Sequence, residues 1–174
     1  TRKESSAASD VYKRQILGRP LLTYIDDYKE VVEAIETQIP QMCDDEAVVF
    51  MGHGTFHESH SAYPAIEYML RDHGINAYVG TVEGYPELDH VIKKLKADNI
   101  KTVNLMPLML VAGDHAINDM AGDEEDSWKS MLEEEGFEIK VHLKGLGENS
   151  KIQDKFVKHA HDCIDQLKEL EEIC

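Results

Sequence analysis

The sequence predicts an α/β domain: a four-stranded, mostly parallel sheet with helices on both faces. Two observations carry that expectation. Apolar runs alternate with helical patterns, in the order helix and then strand–helix four times. The run "AVVFM" (47–51) is apolar at every position, as a strand buried on both faces must be.

Each element has its own signal. "DDYKEVVEAIETQI" (26–39) sets Val31, Ile35 and Ile39 four residues apart and reads as a helix. "SAYPAIEYMLRDHG" (61–74) reads as a second, with Ser61 as its cap and Pro64 in its first turn. Ile66, Met69, Leu70 and His73 share a face, and Gly74 ends it. "NAYVGTV" (76–82) is the second strand. "YPELDHVIKKLKADN" (85–99) is a helix with Leu88, Val91, Ile92 and Leu95 as its stripe. "KTVNLMPLML" (101–110) is a third strand broken by Pro107. "DEEDSWKSMLEEEG" (123–136) opens on acidic residues, which favour a helix N-terminus, and closes on Gly136. "FEIKVHL" (137–143) alternates as the fourth strand. A long final helix carries Ile152, Phe156, Ala160, Cys163, Leu167 and Leu170 on one stripe.

At 174 residues the chain is long enough for one domain with a proper core. Residues 1–15, "TRKESSAASDVYKRQ", are polar, aperiodic and lead into no cap. They resemble translated adaptor or vector sequence and are expected to be a non-native leader, with residues 16–174 as the lobe that folds. The formal net charge is −16; without the leader, 14 basic residues face 32 acidic ones, or −18. Such a balance argues against nucleic acid, whose phosphates need clustered Lys and Arg. It favours cations, or is simply a solvated acidic face. No apolar run approaches the roughly 20 residues of a membrane span. No signal peptide is visible, so no membrane partner is expected. Cys43, Cys163 and Cys174 form no CxxC pair; an odd, scattered set suggests reduced thiols and a cytoplasmic setting.

In open parallel sheets, ligands bind beyond the carboxyl ends of the strands. His53 follows the first strand, Glu83 the second and His115 the third, and "KGLGENS" (144–150) follows the fourth. Each has a plainer reading. His53 alone could be a satisfied loop histidine, and Glu83 a helix cap. Asp114 could be an N-cap and Asp119 a turn residue. His57 and His60 read as exposed loop residues, or as secondary ligands. Together, two imidazoles and a carboxylate suit Co²⁺, Ni²⁺, Fe²⁺ or Zn²⁺. The chain has no HExxH, GxGxxG, Walker or GxSxG motif, which removes zinc-protease, nucleotide-binding and α/β-hydrolase readings.

The stretches "FMGHGTFHESHSAYPAIEYML", "VGTVEGYP" and "MPLMLVAGDHAINDMAGDEEDSWK" closely resemble the anaerobic sirohydrochlorin cobaltochelatases of the CbiK type. The resemblance runs from about residue 16 to about residue 170. It implies a class II chelatase lobe that inserts Co²⁺ into sirohydrochlorin on the way to cobalamin, with Fe²⁺ or Ni²⁺ as other metals its ligands accept. It places the family's metal-site histidines on His53 and His115 and its metal-site acid on Glu83. Gly52, Gly54 and Gly113 are then expected to give the backbone clearance for the macrocycle. Arg71, Lys144 and the amides near Gly145 and Gly147 are candidates for its carboxylates. Neutral imidazoles are required, so activity is expected to fall below roughly pH 6. The family's enzyme resembles two α/β lobes around a cleft, and this chain resembles the C-terminal lobe only. Its expected partners are therefore sirohydrochlorin and either the other lobe or a second copy. The alternative is a non-catalytic metal- or tetrapyrrole-binding module.

Overall fold

The computed structural model describes residues 16–172. The leader expected at residues 1–15 lies outside them. The elements run α1 (Ile25–Glu36), β1 (Glu46–Gly54), α2 (Ala62–Asp72), β2 (Ala77–Glu83), α3 (Leu88–Ala97), β3 (Thr102–Pro107), α4 (Trp128–Glu134), β4 (Glu138–Val141) and α5 (Ser150–Glu172). The strands form one all-parallel sheet in the order β2-β1-β3-β4. Chain order reverses between β1 and β3, so the crevice beyond their carboxyl ends is the place where such a sheet takes a ligand.

The apolar run of β1 serves both faces because successive side chains alternate. Ala47, Val49 and Met51 enter one core with Val91 and Leu95 of α3 and Leu132 of α4. Val48 and Phe50 enter the other, with Val31 and Ile35 of α1 and Ile66 and Leu70 of α2. The expected helices on both faces are present.

Three sequence expectations shift. Ser61 makes no side-chain cap at α2, because a 3₁₀ turn over Glu58–Ser61 runs straight into the helix. The helix expected from residue 123 begins only at Trp128. Ser127 is its N-cap, accepting the Ser130 N–H at 3.1 Å, so Glu124, Glu125 and Asp126 precede the helix.

The third concerns α5. Phe156, Ala160 and Leu170 of the expected stripe are exposed, and the buried line is Ile152, Lys155 and His159. Lys155 can face inward there because α1 supplies its partners. Lys155 Nζ bonds Asp27 Oδ1 at 2.8 Å and Glu30 Oε2 at 2.5 Å. Cys163 is only half-buried, beside Gly18.

Candidate metal centre

β1 extends through His53 to Gly54, so His53 lies on the strand, not after it. Its parity matches Val49 and Met51, which turns the side chain toward the face carrying the segment after β3. That segment contains a π-helical turn, His115–Met120, a rare geometry often found at functional sites. Ala116 and Met120 are fully buried and anchor the turn in the core, leaving His115 half-exposed at the edge. The two imidazoles meet edge to face, with ring centroids 4.9 Å apart and planes at 84°.

Their second nitrogens are held in the same way. His53 Nδ1 lies 3.2 Å from the Gly54 carbonyl oxygen, and His115 Nδ1 lies 2.5 Å from Asp119 Oδ2. A carbonyl or carboxylate oxygen accepts, so each Nδ1 is the donor in these contacts. Each Nε2 is then left with its lone pair, the form in which imidazole binds a metal. Asp119, read from the sequence as a turn residue, therefore holds the His115 ring. Its signal was the i, i+4 spacing from His115 on one helical turn.

The Asp119 hydrogen bond holds the His115 pKa above the ordinary histidine value. Partial desolvation opposes this, while the charges of Asp119, Asp114 and Glu83 add to it. Glu83 ends β2, paired in register with Gly54, so it reaches the same edge but stays exposed. It caps no helix; the N-cap of α3 is Glu87. Among the described residues no three His, Cys, Asp or Glu side chains stand close enough to hold an ion. The histidines are thus brought together, and Glu83 is placed on their edge without completing a three-ligand set.

The glycines divide. A Cβ on Gly52 would lie 2.2 Å from Tyr63 Cε1, and one on Gly54 would lie 1.8 Å from the Glu83 carbonyl oxygen. The space over these two is filled by the chain itself, so its own packing already requires them. Gly113 has nothing within 4 Å of an added Cβ and keeps open clearance. Gly52→Ala should push the Tyr63 ring aside and cost about 1–3 kcal/mol by overpacking. Urea unfolding measures this, and an unchanged midpoint would mean the ring yields freely.

Two anion-contact expectations do not hold. Arg71 lies at the opposite end of the sheet, bonded to Asp98 Oδ2 at 3.3 Å and to the Ala77 carbonyl at 3.5 Å. The Gly145 N–H is taken by Glu148 Oε1 at 3.0 Å, and the Gly147 N–H by the Leu110 carbonyl at 2.8 Å. Lys144 remains exposed at the carboxyl edge.

Residues 3–165 match the family model described as cobalt chelatase (CbiK). The chain belongs to that family. The match opens inside residues 1–15, so the family likeness reaches into the segment set apart as a leader. Among curated relatives, the sirohydrochlorin cobaltochelatase of Salmonella typhimurium is 42% identical over 167 residues, covering 96% of this chain and 63% of that one. The sirohydrochlorin cobaltochelatase CbiKC of Nitratidesulfovibrio vulgaris is 36% identical over 165 residues, covering 94% of this chain and 58% of that one. The chain thus spans about three-fifths of the length of these relatives.

Two solved structures share the family's fold. One, from Marinobacter aquaeolei VT8, bears the name "Putative cobalamin (vitamin B12) biosynthesis CbiX protein", with TM-score 0.54 and 18% identity. It covers 70% of this chain and 98% of its own. The other is DR2241 from Deinococcus radiodurans, a multi-domain protein with structural similarity to chelatases. Its TM-score is 0.51 and its identity 14%, covering 75% of this chain and 29% of its own.

The Asp119 contact carries a test. A metal held by His115 would need the neutral imidazole, so its capture should fail on acidification from above the ordinary imidazole value of about 6.5. That is earlier than the roughly pH 6 expected from unperturbed imidazoles. Asp119→Asn removes the charge that favours the imidazolium, which moves this acid limb to lower pH. It also loosens the ring, so the affinity reached at alkaline pH should drop about tenfold. Co²⁺ titration across pH reads both effects, and an unmoved acid limb would show that Asp119 does not govern His115.

Proposed function

We propose that this chain provides the metal side of a sirohydrochlorin cobaltochelatase, inserting Co²⁺ into the tetrapyrrole. The observation that carries the reading is the His53–His115 pair, 4.9 Å apart at the sheet's switch point. Each ring has its Nδ1 bonded back to the chain. The names of the two curated relatives supply the substrate.

Insertion requires that Co²⁺ lose water, that the macrocycle present its nitrogens, and that two pyrrole protons leave. The two Nε2 atoms hold the ion as substrate on the edge of the sheet, and Glu83 adds charge beside them. As the metal passes to the ring, the freed lone pairs of His53 and His115 become available to those protons. Exposed Phe56, Tyr85, Leu110, Val111, Ile117 and Leu143 follow the four strands and rim this edge. Such a rim suits the face of a large flat ring and a second surface closing over it. We take that surface to be another lobe or a second copy of this one. The same ligands accept Fe²⁺ and Ni²⁺.

A second reading, a binding module without turnover, draws on the missing third ligand among the described residues. Incubation with Co²⁺ and sirohydrochlorin, followed by absorption spectroscopy, separates the two. The spectrum of the cobalt complex supports insertion; Co²⁺ uptake with an unchanged tetrapyrrole spectrum supports the module, or a metal side that needs its partner lobe for turnover.

A further inference from the structure

The geometry points to Tyr63 as the residue that positions His53, acting through Gly54. This rests on the reading of His53 as a Co²⁺ ligand. Tyr63 is the second residue of α2, and its ring lies directly over Gly52 of β1. The Gly54 N–H donates to Tyr63 Oη at 3.0 Å, and the Gly54 carbonyl lies 3.2 Å from His53 Nδ1.

The order of these contacts matters. The Gly54 N–H belongs to the peptide that joins His53 to Gly54. Holding it sets the backbone from which Gly54, at φ +86°, turns its carbonyl back onto the imidazole. That φ suits glycine, and the Glu83 carbonyl leaves no room for a Cβ. Gly54 is buried, so its N–H would have no ready partner without the phenol.

The consequence falls on the metal-facing nitrogen. An unconstrained neutral imidazole samples both tautomers. A carbonyl acceptor at Nδ1 selects the Nδ1–H form and leaves the Nε2 lone pair for the ion. His115 reaches the same state through Asp119; His53 reaches it through its own backbone, and Tyr63 holds that backbone. Tyr63 touches neither metal nor macrocycle in this scheme, so it is a positioning residue.

Tyr63→Phe is the direct test, because it keeps the ring over Gly52 and removes only Oη. In metal-free protein at mildly alkaline pH, ring ¹⁵N NMR should show His53 as Nδ1–H in the native chain. It should show a mixed population in Tyr63→Phe. Co²⁺ affinity of the variant should fall roughly tenfold, the scale of losing an orienting partner, while thermal unfolding shows a folded protein. Finding native His53 as the Nε2–H tautomer would overturn the inference without any variant. So would a Tyr63→Phe protein with the native tautomer and native Co²⁺ affinity. If the native chain takes up no Co²⁺ at all, the cobalt reading fails, and the metal-free tautomer comparison still decides the role of Tyr63.

Discussion

His115→Ala should reduce Co²⁺ insertion at least about a hundredfold while leaving the fold unchanged. Removing an outer partner of a metal ligand typically costs 10–100-fold, so deleting the ligand itself should exceed that range. The fold should survive because the side chain is 44% exposed, and the anchors of its turn, Ala116 and Met120, stay in the core. His57→Ala is the matched control. His57 Nδ1 accepts the Ser59 N–H at 3.2 Å, so its neutral form carries the proton on Nε2 and lacks the free lone pair. Cobalt insertion followed by absorption should fall in the first variant and not in the second. Native rates in His115→Ala would remove the histidine pair from the mechanism.

The sheet was legible because its strands carry their own signals. "AVVFM" reads as buried on both faces whatever surrounds it, and three further strand–helix alternations leave few topologies open. The strand-end rule then selected His53, Glu83 and His115 without any coordinates; the two histidine rings meet, while Glu83 shares their edge without completing a three-ligand set. What escaped were contacts whose meaning depends on a distant partner. Tyr63 reads from the sequence as a helix residue; only the path of β1 beneath it shows that its ring fills the space over Gly52. Asp119 reads as a turn residue until the π-helical turn brings it against His115. The stripe on α5 failed for a related reason. Periodicity counts apolar residues, and the inward line of that helix carries Lys155 and His159; the partners of Lys155 lie on α1, more than a hundred residues earlier.

That buried pair sets the largest expected effect on stability. The side chains of Lys155 and Asp27 are only 4% and 5% exposed. Lys155→Met should destabilise the domain by about 3 kcal/mol, because it strands a buried carboxylate. The loss sits at the low end of that class, since Asp27 Oδ2 keeps the Tyr24 N–H at 2.7 Å and the Thr23 N–H at 3.1 Å.

The pH dependence gives the sign. Burial pushes the Asp27 carboxyl up, but Lys155 and the Tyr24 and Thr23 N–H groups together hold it well below the usual carboxylate range. A depressed folded pKa contributes stability that is fully present above the unfolded value of about 3.9 and is lost as pH falls below it. Without the ammonium, the Asp27 pKa rises from its depressed native position, because burial is then opposed only by the Tyr24 and Thr23 N–H groups. The variant therefore loses less stability than the native protein as Asp27 is protonated, so their urea midpoints should converge as pH falls below about 4. Lys158, Glu30 and His159, whose Nε2 is 3.8 Å from Asp27 Oδ1, are the other titratable groups around the pair. Adding Asp27→Asn to Lys155→Met removes the stranded charge and keeps an acceptor for the two N–H groups. The double variant should therefore be more stable at neutral pH than Lys155→Met alone. If it is not, the ammonium acts by packing its stem rather than by pairing with Asp27.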